Sequence, residues 1–284
     1  MPGTVIVTDS TASLPPEVAA ARGIVVVPLQ VVIGAKVLDE GAEGATPEFV
    51  AQALRDFVPV STSRPAPAAM LEVYEKLAAD GAQSVLSVHL SGEMSGTLES
   101  AQLAAREASV EVVVVDSRQV AAATGFAALA AADVLDAGGD VHAAADAARA
   151  LAAASHSWFY VDTLEYLRRG GRIGAAAALL GGALAVKPLL EIRDGRVASL
   201  ERVRTAGRAL QRLEDLVVST AGDREVDLCV AHLANPERAH HLTTRLRERL
   251  GDRLTGQVWC TELGAVLGAH VGPGMVAAAI APRL

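Results

Sequence analysis

Residues 164–195 read LEYLRRGGRIGAAAALLGGALAVKPLLEIRDG, and this stretch decides how the second half of the chain folds. Two adjacent glycines, Gly170 and Gly171, free the backbone for positive φ, and Arg168, Arg169 and Arg172 crowd the same turn. The pattern predicts a helix with a glycine C-cap at Gly170 or Gly171 and arginines at its negative end, followed by a second, small-residue helix. An uncharged run occupies 173–186, up to Lys187; lining a ligand tunnel and packing in a core account for it equally well. Beyond it, PLLEIRDGRVASLERV places Asp194-Gly195 between two extended runs, the strongest short hairpin signal available, so antiparallel pairing is expected there. Strand-like DLCVAHL, QVWCTEL and MVAAAIA follow, with helical patterns near 206–219 and 236–250 between them.

Upstream the texture changes. TVIVTD, IVVVPLQVVI, SVLSVHL and VEVVVVDS alternate with Ala-rich helical stretches, which argues for a mostly parallel sheet flanked by helices. Ser13, Thr46 and Asn235 each precede an early Pro and acid and are expected to be helix N-caps. Two helices, about 120–136 and 140–154, carry the chain to SWFYVD. The expected fold class is therefore α/β with two domains: 1–155, with a mostly parallel sheet, and 156–284, with a mixed or antiparallel sheet. The cleft between them is the default ligand site.

Composition narrows the function. Apolar residues make up 51% of the 284 residues and aromatics only 3%, so base-stacking platforms are scarce. A net charge of -8 opposes attraction to a phosphate backbone, and no nucleic-acid partner is expected. The N-terminus lacks a signal-peptide pattern, and the run at 173–186 is too short to span a bilayer. The chain reads as a soluble cytoplasmic protein for which transient contact with a membrane surface remains open. Cys229 and Cys260 lack CxxC spacing and read as free thiols. His240 and His241 are neighbours on a helix and cannot face one ion together, so no metal is expected. Neither GxxxxGK[ST] nor GxGxxG occurs, so no nucleotide cofactor is expected either.

Several polar residues stand where chemistry is favoured, and each has a structural alternative. Ser95 and Gly96 lie between a strand and a helix, where unpaired N–H groups suit an anion; Ser95 serves equally as a cap of its own helix. Ser61, Thr62 and Ser63 precede Pro65 and form a hydroxyl-rich turn. His270 comes just before Gly272, Pro273 and Gly274, which would let backbone approach a ligand closely, though a lone histidine is commonly structural. Asp9 and Ser10 end the first strand, a favoured ligand position in an open parallel sheet and equally a turn. GEMSG resembles a nucleophile elbow but misses its spacing by one residue. A serine hydrolase using Ser95 and His270 is thus the alternative reading.

Taken in order, VTDSTASLP, STSRP, SGTLESA, LEYLRRGGRI, AVKPLLEIRDG, VRT and HVGPG resemble the signature of the DegV family of bacterial fatty-acid-binding proteins, and the likeness covers nearly the whole chain. Met94 stands where that family usually has leucine, a volume-conserving change. The resemblance implies a long-chain fatty acid held between the domains, its carboxylate met by the hydroxyls of Ser95 and Thr62, with Ser63 and His270 close by. It implies no catalytic activity of the chain's own, no cofactor, and presentation of the carboxylate to the catalytic subunit of a separate ATP-dependent fatty acid kinase. Arg172 and Arg204 match arginines implicated in engaging that kinase, and Lys187 matches a position whose role, head group or structure, stays open. A dozen buried methylenes would supply on the order of 10 kcal/mol gross, before ordering and association costs.

Overall fold

The computed structural model describes residues 3–179 and 187–283. In chain order the elements are β1 (Thr4–Asp9), α1 (Pro16–Ala21), β2 (Val25–Val27), β3 (Gln30–Ile33), β4 (Lys36–Asp39), α2 (Pro47–Arg55), β5 (Val60–Ser63), α3 (Pro67–Ala79), β6 (Ser84–His89), α4 (Thr97–Glu107), β7 (Glu111–Asp116), α5 (Ala122–Asp136), α6 (Val141–Ala154) and β8 (His156–Tyr160). They continue with α7 (Glu165–Arg169), β9 (Lys187–Arg193), β10 (Arg196–Val203), α8 (Ala206–Ala221), β11 (Val226–His232), α9 (Pro236–Leu250), β12 (Val258–Glu262), α10 (Ala265–Val271) and β13 (Val276–Pro282).

Contacts divide the chain into two units, 1–30 with 63–154 and 31–62 with 155–284. Residues 31–62, expected in the N-terminal domain, group by their contacts with the second unit. The reason lies in IVVVPLQVVI, read as one strand. Pro28 carries no N–H for a ladder, and the run breaks there into β2 and β3, which join different sheets.

The first unit is a four-stranded sheet ordered β2-β1-β6-β7, parallel at every pairing. Each residue of β6 is buried, as a central strand covered on both faces should be. Val7, Val27, Val85, Met70, Tyr74 and Ala104 form a core on one side. The second unit holds a six-stranded sheet, β10-β9-β8-β13-β11-β12, antiparallel except for β11 with β12, and a small sheet ordered β4-β3-β5. Its core joins Leu189, Leu228, Val230 and Val276 of the larger sheet to Leu213 and Val217 of α8 and Leu242 and Leu246 of α9. Two α/β units, one parallel and one mixed, agree with the fold class expected.

Local departures have local causes. Asp194 and Gly195 both adopt positive φ, 52° and 78°, and close the β9–β10 hairpin with Arg193 opposite Arg196, as a two-residue turn requires. Thr46 caps α2 by accepting from Phe49 N, but Ser13 sits in the left-handed region before α1, whose N-cap is Pro15. Asn235 is the N-cap of α9 by position only, its amide donating instead to Gly274 O. After α7 the second helix expected is a 3-10 turn, Gly174–Leu179. Gly174 has φ 52° and lies so close to Val197 O that a Cβ would come within 2.3 Å of it. The rest of the uncharged run, 180–186, lies outside the described residues. Among the described residues no helix is long and apolar enough to cross a membrane, and Cys229 and Cys260 are free.

Candidate functional site

His270 and Thr62, 208 residues apart in sequence, meet in the second unit, with His270 Nε2 2.9 Å from Thr62 Oγ1. Thr62 is carried by β5 and His270 by the last turn of α10. Helix α10 is anchored at its start by the Glu40 carboxylate, which accepts from Val266 N at 2.7 Å, and it packs against α2 and α7. Gly170 admits the His270 ring, and Gly272 admits the ring of Tyr166 beside the end of the helix. A Cβ at Gly170 would lie 2.2 Å from His270 Nδ1, and one at Gly272, where φ is 75°, 2.0 Å from Tyr166 Cδ2.

The pair forms part of the wall of a cavity of about 400 Å³, within the range of ligand pockets. Val32, Leu54, Val58, Val60, Ala269 and Tyr166 supply much of its wall, and Arg169, Arg172 and Ser61 add polar groups. Burial holds the His270 pKa down to about 4, with the Arg172 charge adding to the effect, so the ring is neutral at physiological pH. Its Nδ1 is buried and has no hydrogen-bond partner among the described residues. The surroundings are a hydroxyl and a neutral imidazole in a cavity of mixed polar and apolar lining, which can orient a polar head group while its aliphatic side chains meet a chain.

The other expected ligand-binding residues lie in the first unit and make local hydrogen bonds. Ser95 Oγ is 2.9 Å from Thr97 Oγ1 and accepts from Thr97 N, so it shapes the first turn of α4 while remaining partly exposed. Gly96, the N-cap residue of α4, offers its carbonyl to Arg64 Nη1, and a Cβ there would strike that side chain at 2.4 Å. Ser63 donates to Arg64 O. Asp9 is wholly buried, accepting from Thr11 N, Leu90 N and His89 Nδ1. Ser10 Oγ accepts from Leu29 N. Asp9 and Ser10 are thus both engaged in hydrogen bonds within the first unit.

The basic residues separate. Arg172 lines the cavity and donates to Gly170 O at 2.6 Å, whereas Arg204 is exposed between β10 and the Thr205 cap of α8. Lys187 pairs with Asp162 Oδ1 at 2.8 Å. Sequence reasoning did not single out Tyr166 or Glu40. The tyrosine's signal was its place in LEYLRRGG beside a glycine pair; Glu40 had none, because its partner is 226 residues away. Among the described residues no group of three or more His, Cys, Asp or Glu could hold a metal ion.

These features define a two-unit α/β protein whose second unit carries a cavity of mixed lining with a hydroxyl–imidazole pair in its wall. The chain belongs to the DegV family: the family model described as "Uncharacterised protein, DegV family" matches residues 4–283. A DegV domain-containing protein of Streptomyces coelicolor is 51% identical over 278 residues, 98% of either chain. Among solved structures, a fatty-acid-binding DegV family protein from Thermus thermophilus superposes with a TM-score of 0.91 at 32% identity over 99% of both chains. DegV from Bacillus subtilis, a fatty acid binding protein, does so at 0.88 and 27% identity over the whole of both.

Proposed function

We propose that this protein binds one long-chain fatty acid, with the acyl chain against the aliphatic residues of the second unit's cavity and the carboxylate at Thr62 and His270. The observation that carries the reading is the Thr62–His270 contact at the edge of that cavity, in a chain 32% identical to a fatty-acid-binding relative. Ser95, with Gly96 and Ser63, is assigned to the carboxylate on the strength of the family resemblance. In this reading the protein is a cytoplasmic carrier without chemistry of its own, and it presents the carboxylate to the catalytic subunit of a fatty acid kinase.

A hydrolase would need an acceptor holding the far nitrogen of its base histidine. Among the described residues His270 Nδ1 has none, and the hydroxyl at Nε2 is that of Thr62. Denaturing extraction of freshly purified protein followed by mass spectrometry tests the binding reading. Near-stoichiometric fatty acid is expected; no lipid, together with no uptake of added fatty acid, overturns it. Ser95→Ala is expected to weaken retention by about 1–3 kcal/mol, the loss of one hydrogen bond to a charged group. A covalent adduct of Ser95 with a fluorophosphonate, abolished by His270→Ala, would restore the hydrolase. The kinase role is tested in a reconstituted assay. Arg204→Ala should leave fatty acid affinity within about 0.5 kcal/mol yet reduce acyl-phosphate formation, because a misdocked kinase loses in-line geometry. Unchanged phosphorylation removes Arg204 from the docking surface.

A further inference from the structure

A second cavity, of about 660 Å³, is lined entirely by residues of the second unit and shares none of them with the site at Thr62 and His270. It lies where ligands are favoured, at the carboxyl ends of the parallel strands β11 and β12 and the start of the helix α9 that joins them. His232 and Glu262 close those strands as register partners. Exposed Glu48, Gln52 and Arg55 complete the lining from one face of α2, at i, i+4 and i+7. Leu54, on another face of the same helix, lines the first cavity.

The lining offers both acceptors and donors. Glu262 accepts from Ala234 N at 2.9 Å, and its carboxylate approaches that of Glu48. The backbone N–H of Glu48, and then the Thr46 hydroxyl, hold the Glu48 carboxyl below its ordinary range, so it is ionised at neutral pH. Two neighbouring carboxylates favour a cation between them. His232 is only 7% exposed, and burial lowers its pKa, so the ring is neutral. Its Nδ1 accepts from Asn235 N at 3.4 Å, while Glu262 Oε1, at 3.8 Å, is too far to take a hydrogen bond from it. The single ring proton therefore sits on Nε2, which has no partner among the described residues. Arg55 likewise has no ion-pair partner among them. Buried polar side chains are ordinarily satisfied, and the donor that His232 keeps beside the cavity points to a ligand acceptor.

We propose that this cavity is a second ligand site and takes a small zwitterion of the amino-acid type, its ammonium group between Glu48 and Glu262 and its carboxylate at His232 Nε2 and Arg55. Other classes fit less well. A phosphate would meet two carboxylates, and a sugar ring would find no aromatic face in the lining to stack on. A simple amine would leave the donors of His232 and Arg55 without an acceptor. A metal ion lacks ligands, since no group of three or more His, Cys, Asp or Glu among the described residues could hold one. The assignment is independent of the fatty-acid reading.

The test is calorimetric titration of the delipidated protein with each of the common amino acids, and with propylamine, propionate and inorganic phosphate in parallel. At least one amino acid is expected to bind, about tenfold or more tighter than propylamine or propionate, because each of those forfeits a charged contact. Glu48→Gln and His232→Gln should each weaken that binding about tenfold, and Thr62→Val should leave it unchanged. Thermal melts check that the variants fold; should His232→Gln fail to melt cooperatively, Glu48→Gln, at an exposed position, carries the test. No binding of any amino acid by the wild-type protein overturns the proposal. So does wild-type affinity in Glu48→Gln, or a loss confined to Thr62→Val, which would put the amino acid in the first cavity. Propylamine or phosphate bound as tightly as the best amino acid overturns the zwitterion assignment.

Discussion

Gly272 and Asp9 show how single residues shape the two units from opposite directions. At Gly272 the requirement is for no side chain, since φ is 75° and a Cβ would overlap the Tyr166 ring. Gly272→Ala is expected to destabilise the protein by about 1–3 kcal/mol through backbone strain and displacement of Tyr166, which urea unfolding measures directly. Asp9 is the reverse case, a carboxylate whose every role is internal. It holds His89, whose Nε2 meets Ser87 Oγ at 2.7 Å, which in turn meets Tyr74 OH at 2.8 Å. Each of these side chains is fully buried. This aspartate, histidine and serine line up as in a hydrolase triad, but in a place that substrate cannot reach. Asp9→Ala removes the acceptor of four buried donors, Thr11 N, Thr11 Oγ1, His89 Nδ1 and Leu90 N, and is expected to lower stability by about 3 kcal/mol or more. A variant of wild-type stability in thermal unfolding would contradict the buried network.

At the scale of elements, the caps and turns follow rules that act over three or four residues. Thr46 accepts from Phe49 N and Thr205 from Arg208 N, and Thr46→Ala should cost about 1 kcal/mol in chemical denaturation, the usual worth of an N-cap. The Asp194-Gly195 turn was legible because two positive φ angles are needed there and few residue pairs supply them. Ser13 was not, because its neighbours Leu14 and Pro15 carry the chain past it before α1 begins. The segment after Gly171 eluded the helical pattern for a similar reason. Alanines are permissive of any helix, and the close backbone of Val197 decided between them.

For the whole molecule, the discontinuous units have a practical consequence. Residues 31–62 belong with 155–284, and α2 packs on α10. A fragment of residues 156–284 therefore lacks both Thr62 and the partner of the helix bearing His270. It is expected to expose apolar surface and bind 8-anilinonaphthalene sulfonate; a cooperatively folded fragment without dye binding would show that 31–62 is dispensable. Stability should also depend on acid. The His270 pKa is lowered from 6.5 to about 4, so between those values the unfolded chain binds a proton that the folded one does not. Stability from this group is full above pH 6.5 and is lost as pH falls toward 4, by up to about 3 kcal/mol. His156 and His232, also lowered chiefly by burial, act in the same direction. His270→Gln should thus flatten part of the slope in a series of thermal melts, and an unaltered slope would place the ring in water.

By itself the sequence determined the α/β class, the parallel first sheet, the β9–β10 hairpin and the family to which the chain belongs, together with Thr62 and His270 as candidates. These rest on periodicity, on turn chemistry and on motifs, all of which are written within a few consecutive residues. Only the tertiary structure decided that 31–62 groups with the second unit, that Thr62 and His270 touch, that Asp9 faces inward and that Arg172 lines the cavity. Those outcomes depend on pairings between residues tens to hundreds of positions apart. A strand broken at Pro28 and a ring admitted by Gly170 are settled by what packs against them, and no local pattern of residues encodes that.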